Sequence, residues 1–134
     1  MNYSPIIGVV IISFLLGWLW HSPALFGRLW MRLQGFTPEA MKKDMKLSMA
    51  QAMVGGLAST VVFVAVTNHF VTVAGTVTLI DALRLAGWIW LGYVVTIMAN
   101  SVLWENRSAK LYVFNIVYQF VSLAVAATLL TLWR

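Results

Sequence analysis

The chain has 134 residues, room for one domain, and 61% of them are hydrophobic while only 10% are charged; a soluble globule carries about a quarter. That composition excludes a soluble fold and predicts an integral membrane protein. The net charge of +5 is not laid out as a basic stripe interleaved with exposed aromatics, which excludes a single-strand nucleic-acid binder, and the lack of cysteine excludes disulfides, thiolate metal sites and cysteine nucleophiles.

Crossing a bilayer core of roughly 30 Å takes about 20 apolar residues at 1.5 Å each. Four stretches meet that demand, at residues 5–21, 47–70, 80–104 and 111–133. No positive n-region precedes the first and no small-x-small cleavage site follows it, so this span is expected to be retained. It is the shortest, and Ser22-Pro23 predicts a kink or break at its end, because proline disfavours helix before it and donates no hydrogen bond. Beyond the break, in segment 23–34, Leu25, Phe26, Leu29, Trp30 and Leu33 share one helix side, with Arg28 and Arg32 beside them. That pattern predicts a helix lying in the headgroup plane.

Thr37, Pro38 and Glu39 read as N-cap, first-turn proline and dipole-matched acid of the next helix. Its first turns, with Lys42, Lys43, Asp44 and Lys46, must stand outside the membrane. A short connection at 72–78 leads to the third span, opened by Asp81, and the tight turn Glu105-Asn106-Arg107-Ser108-Ala109-Lys110 leads to the fourth. The connections after spans one and three hold seven basic residues, Arg28, Arg32, Lys42, Lys43, Lys46, Arg107 and Lys110, against Arg84 and Arg134 on the opposite side. The positive-inside rule then predicts a plasma (inner) membrane protein with both termini outside, in the periplasm. The seven are also candidates for holding anionic lipid headgroups. Trp18, Trp20, Trp30, Trp104 and Tyr112 fit the inner aromatic belt, while Trp88 and Trp90 lie deeper and read as packing residues.

Gly17-Trp18-Leu19-Trp20-His21-Ser22-Pro23, then Leu25-Phe26-Gly27 and Trp30-Met31, resemble the N-terminal signature of the bacterial "domain of unknown function 1761" membrane proteins. Leu103-Trp104-Glu105-Asn106-Arg107-Ser108-Ala109-Lys110-Leu111, leading to Asn115 and Tyr118, is similar to that family's second signature. The resemblance spans nearly the whole chain and implies a four-span membrane protein without an established activity. His21 stands where its relatives more often carry tyrosine.

Each span has one less apolar stripe: Ser13, Gly17 and His21; Gln51, Gly55 and Ser59; Gly92, Thr96 and Asn100; Asn115, Gln119 and Ser122. These stripes are expected to face one another, as small and amide residues do between membrane helices. By depth, His21, Gln51, Asn100, Glu105 and Asn115, with Gln119 deeper, gather near one interface and are the candidates for a cytoplasm-facing polar pocket. Glu105 either pairs with His21 and raises its pKa, or pairs with Arg107, Lys110 or Arg28 at the headgroups. Met41, Met45, Met49 and Met53 form an i, i+4 ladder that soft Cu(I) would suit, but methionine is also a packing residue and no other soft ligand stands beside it. No phosphate loop, His-Glu-x-x-His helix or serine nucleophile motif is present, so an enzyme is left open but unsupported, and no cofactor is expected.

The expected architecture is an all-α membrane four-helix bundle with an interfacial helix after the first span. It is expected to self-associate or to join a membrane-protein partner. Two functions fit: a structural, accessory or lipid-interacting subunit, and a small-solute or proton-coupled transporter built on the polar pocket.

Overall fold

The computed structural model describes residues 4–22, 25–34 and 49–133. Among them the chain forms helices and turns and no strand. Helix α1 is Ser4–Trp20, α2 Gly27–Gln34, α3 Met49–Ala74, α4 Leu79–Leu103 and α5 Ala109–Leu132. Three of them, α3, α4 and α5, are long and apolar enough to cross a membrane; α1, with 17 residues, reaches about 25 Å and is the shorter fourth. The expected first turns of the second span, with Pro38, Lys42, Lys43 and Lys46, and the ladder residues Met41 and Met45, lie outside the described residues. Met49 opens α3.

The break after α1 is real and tightly built. The Phe26 amide donates to the Trp20 carbonyl at 3.2 Å and the Gly27 amide to the Ser22 carbonyl at 2.8 Å, folding the chain back on itself. A Cβ at Gly27 would lie 2.5 Å from the His21 carbonyl oxygen and from the Ser22 carbonyl carbon, so only glycine fits. Helix α2 then packs against α5, with Arg28 and Arg32 exposed.

The opposite end is closed by two caps. Gly75, at φ +68°, ends α3 in a Schellman motif: its amide donates to the Thr72 carbonyl and the Thr76 amide to the Val71 carbonyl. Thr78 and Asp81 form a capping box on α4, the Thr78 hydroxyl accepting from the Asp81 amide and the Asp81 carboxylate from the Thr78 amide. The buried Thr76 and Thr131 hydroxyls meet at 2.8 Å and fasten this turn to α5.

Helix α5 is the centre of the bundle and packs against α1, α3 and α4. Its packing divides into two halves. Toward the Thr76 end, Val9, Val64, Val71, Ala82, Ala86, Ala126, Ala127 and Leu130 are buried together in a close aliphatic layer. Toward the charged end the filling is aromatic: Trp20 packs on Phe26, Phe114 and Tyr118 at centroid distances of 4.6, 6.1 and 5.6 Å.

Midway along, α4 takes a π-helical turn at Trp90–Val95. Its cause lies in the α4–α5 contact. The Trp90 indole N–H donates to the Ile116 carbonyl at 2.7 Å, and the Tyr112 hydroxyl donates to the Val95 carbonyl at 2.7 Å. These two bonds are five residues apart on α4 and four apart on α5, an offset that the extra residue of a π turn absorbs. Trp90 also stacks edge-on to Phe120 at 5.1 Å. Trp88, expected to pack as well, is instead 74% exposed. Residues two positions apart on a helix lie about 200° apart around its axis at 3.6 residues per turn, so only one of the two tryptophans faces α5.

Candidate functional site

The turn between α4 and α5 brings charged and amide side chains together. At the end of α4 the Glu105 amide donates to the Asn100 carbonyl and the Arg107 amide to the Ser101 carbonyl at 2.8 Å. Asn106 stands between them in the left-handed region, at φ 58°, which asparagine tolerates better than branched residues. Ser108 then caps α5, its hydroxyl accepting from the Leu111 amide. The tight reversal holds Glu105 and Arg107 over the gap between the two helices.

That gap is a cavity of about 450 Å³ lined by Ile97, Met98, Asn100, Ser101, Glu105, Arg107, Leu111, Tyr112 and Asn115. It brings together three of the residues singled out for a polar pocket, Asn100, Glu105 and Asn115, with one expected at headgroups, Arg107. Its chemistry is mixed: a carboxylate, a guanidinium, two carboxamides and two hydroxyl-bearing side chains above an apolar floor. Such a set can accept from a cation and donate to an anion in the same space. The other headgroup candidates Arg28, Arg32 and Lys110 are exposed.

His21 is placed elsewhere. Its Nδ1 donates to the Gly17 carbonyl at 2.9 Å, which also accepts from the His21 backbone amide at 3.2 Å. Its ring sits edge-on to Tyr118 at 4.9 Å and to Trp30 at 5.1 Å. The residue thus sits within an aromatic cluster, away from the cavity that Glu105 lines. Gln51 is exposed on the first turn of α3, and the ladder's Met53 is exposed as well.

Gln119 lines a different space. With Ser13, Ser59, Thr60, Phe63, Tyr118 and Ser122 it bounds a crevice of about 240 Å³ between α1, α3 and α5. The stripes of α1, α3 and α5 therefore do meet, through Ser13, Ser59, Gln119 and Ser122. The α4 stripe joins only at its end, since Gly92 and Thr96 are exposed and Thr96 returns its hydroxyl to the Gly92 carbonyl at 2.7 Å. Stripe reasoning overlooked Ser101, Tyr112 and Tyr118. Ser101 had a signal, one position from Asn100 at a helix end; Tyr112 read as belt and Tyr118 only as part of the second family signature, and their partners across the bundle reveal them.

Apolar helices of spanning length, packed around α5, define a helical membrane protein. The chain belongs to the family described as protein of unknown function DUF1761, whose model matches residues 4–131. No curated protein matches it, and no solved structure does.

Proposed function

We propose that the protein is a lipid-interacting membrane subunit that holds a phospholipid headgroup in the α4–α5 cavity, at the cytoplasmic face of the bilayer. The observation that carries this reading is the lining of that cavity. Arg107 and Glu105 offer one charge of each sign, Asn100 and Asn115 offer amides, and Ile97, Met98 and Leu111 continue into an apolar floor. The complementary ligand is a phosphate and an ammonium group on an acyl chain, as in phosphatidylethanolamine. Arg28, Arg32 and Lys110, exposed at the same end, would add attraction for anionic lipid of about 1 kcal/mol each. Binding is favoured over conduction because the buried Val9, Val64, Val71 and Leu130 layer fills the other half of the bundle.

Native mass spectrometry from mild detergent tests this directly. Wild type should retain phosphatidylethanolamine. Arg107→Gln should lower retention about tenfold, the lower range for a charge-assisted hydrogen bond at an open site. Glu105→Gln should instead shift retention toward phosphatidylglycerol, because it removes the one group that repels an anion. An identical lipid complement in all three proteins would end the proposal.

A further inference from the structure

The crevice between α1, α3 and α5 is a separate space from the headgroup cavity, and its lining is largely polar. Tyr118 lies about 14 Å along α5 from Ala109, and Ser59 about 15 Å along α3 from Met49, which is mid-membrane depth. There Ser13, Ser59, Thr60, Tyr118, Gln119 and Ser122 converge. Ser13 is only 5% exposed, and its hydroxyl has no hydrogen-bond partner among the described residues. A buried hydroxyl left alone in an apolar medium is costly, so a further partner is expected to satisfy it.

We propose that this crevice is a second ligand site, which takes the uncharged, hydroxyl- or carbonyl-bearing head of a single-chain amphiphile. The lining fixes the charge of the head: every polar group in it is a hydroxyl, a phenol or a carboxamide, able to donate and accept but unable to neutralise an ion. A charged head at this depth is disfavoured on the order of a hundredfold. A way in and a place for the chain are both present. Ser13, Thr60 and Tyr118 also line an adjoining groove of about 300 Å³, whose other walls include Phe14, Trp18 and Met53. Gly17 keeps that groove clear, since a Cβ there would lie 2.6 Å from the Tyr118 hydroxyl oxygen. The head therefore sits against Ser13 and Ser122, and the chain leaves past Phe14 toward lipid.

The full chain, purified in mild detergent and delipidated, is offered 1-monooleoylglycerol, oleate or oleoyl-lysophosphatidylglycerol, and retention is read by native mass spectrometry. Two variants accompany wild type: Ser59→Leu, which fills the crevice from an exposed position, and Ser13→Ala, which removes the lone hydroxyl with little change of volume. Wild type should retain monooleoylglycerol at least tenfold better than oleate. Ser59→Leu should lower that retention at least tenfold while leaving lysophosphatidylglycerol unchanged, and Ser13→Ala should lower it about fivefold, the worth of one hydrogen bond. Arg107→Gln should leave it intact, so this site and the headgroup cavity stand or fall separately. Retention of monooleoylglycerol unchanged in both variants, or oleate held as well as monooleoylglycerol, would overturn the proposal and leave a gap filled by water.

Discussion

Gly27→Ala is expected to destabilise the bundle by about 3 kcal/mol, the upper range for forcing an added carbon into filled space. The obstacle is backbone: the new Cβ would meet the His21 carbonyl oxygen and the Ser22 carbonyl at 2.5 Å, and neither can rotate away as a side chain would. Relief requires opening the turn held by Gly27 to Ser22 and Phe26 to Trp20. That movement withdraws Phe26 from Trp20 and Trp30 from His21, contacts of 4.6 and 5.1 Å, and lifts α2 off α5. Unfolding in increasing dodecyl sulfate, followed by tryptophan fluorescence, measures it. A variant as stable as wild type would mean that the turn is not closed as described.

Trp90→Ala should cost a comparable amount, about 3 kcal/mol, by removing both the ring packed on Phe120 and the bond to the Ile116 carbonyl. Two companions separate the causes. Trp90→Phe keeps a ring and loses the N–H, and should cost about 1 kcal/mol. Trp88→Ala, on the exposed side of the same helix, should stay within about 0.5 kcal/mol of wild type. The same dodecyl sulfate titration ranks the three, and equal losses at Trp88 and Trp90 would contradict the orientation of α4.

Much of this architecture was legible because membrane helices announce themselves by length and apolarity. The long apolar runs became α3, α4 and α5, and Ser22-Pro23 marked the break that α2 follows. Asp81 was recognisable as a first-turn acid, and its capping box bears that out. The polar end was legible in part: Asn100, Glu105 and Asn115 do share a cavity, because depth along each helix can be counted from residue numbers. Azimuth cannot be counted so well. The rotation of α4 depends on the π turn, which no proline or other local breaker signals, and which follows from Trp90 and Tyr112 bonding to carbonyls across the interface. For the same reason Trp88 read as packing, and His21 stood as one of the alternative partners for Glu105, whereas its Nδ1 donates to the Gly17 carbonyl. Gly17 offers a general lesson. It looked like one member of a small-residue stripe, whereas its absent side chain leaves room for Tyr118 of α5.

A phospholipid headgroup in the α4–α5 cavity would lie against Asn100 and Asn115, and side-chain amide NMR of these two residues reports on it. The isotope-labelled protein in detergent would be titrated with dihexanoyl-phosphatidylethanolamine, following these signals and the Arg107 guanidinium. Saturable shifts are expected at Asn100, Asn115 and Arg107, with Val9 and Leu130 in the aliphatic layer unmoved. Linear, unsaturable shifts spread evenly over the lipid-facing helices would show that the lipid merely solvates the protein, and would contradict a headgroup site in the cavity.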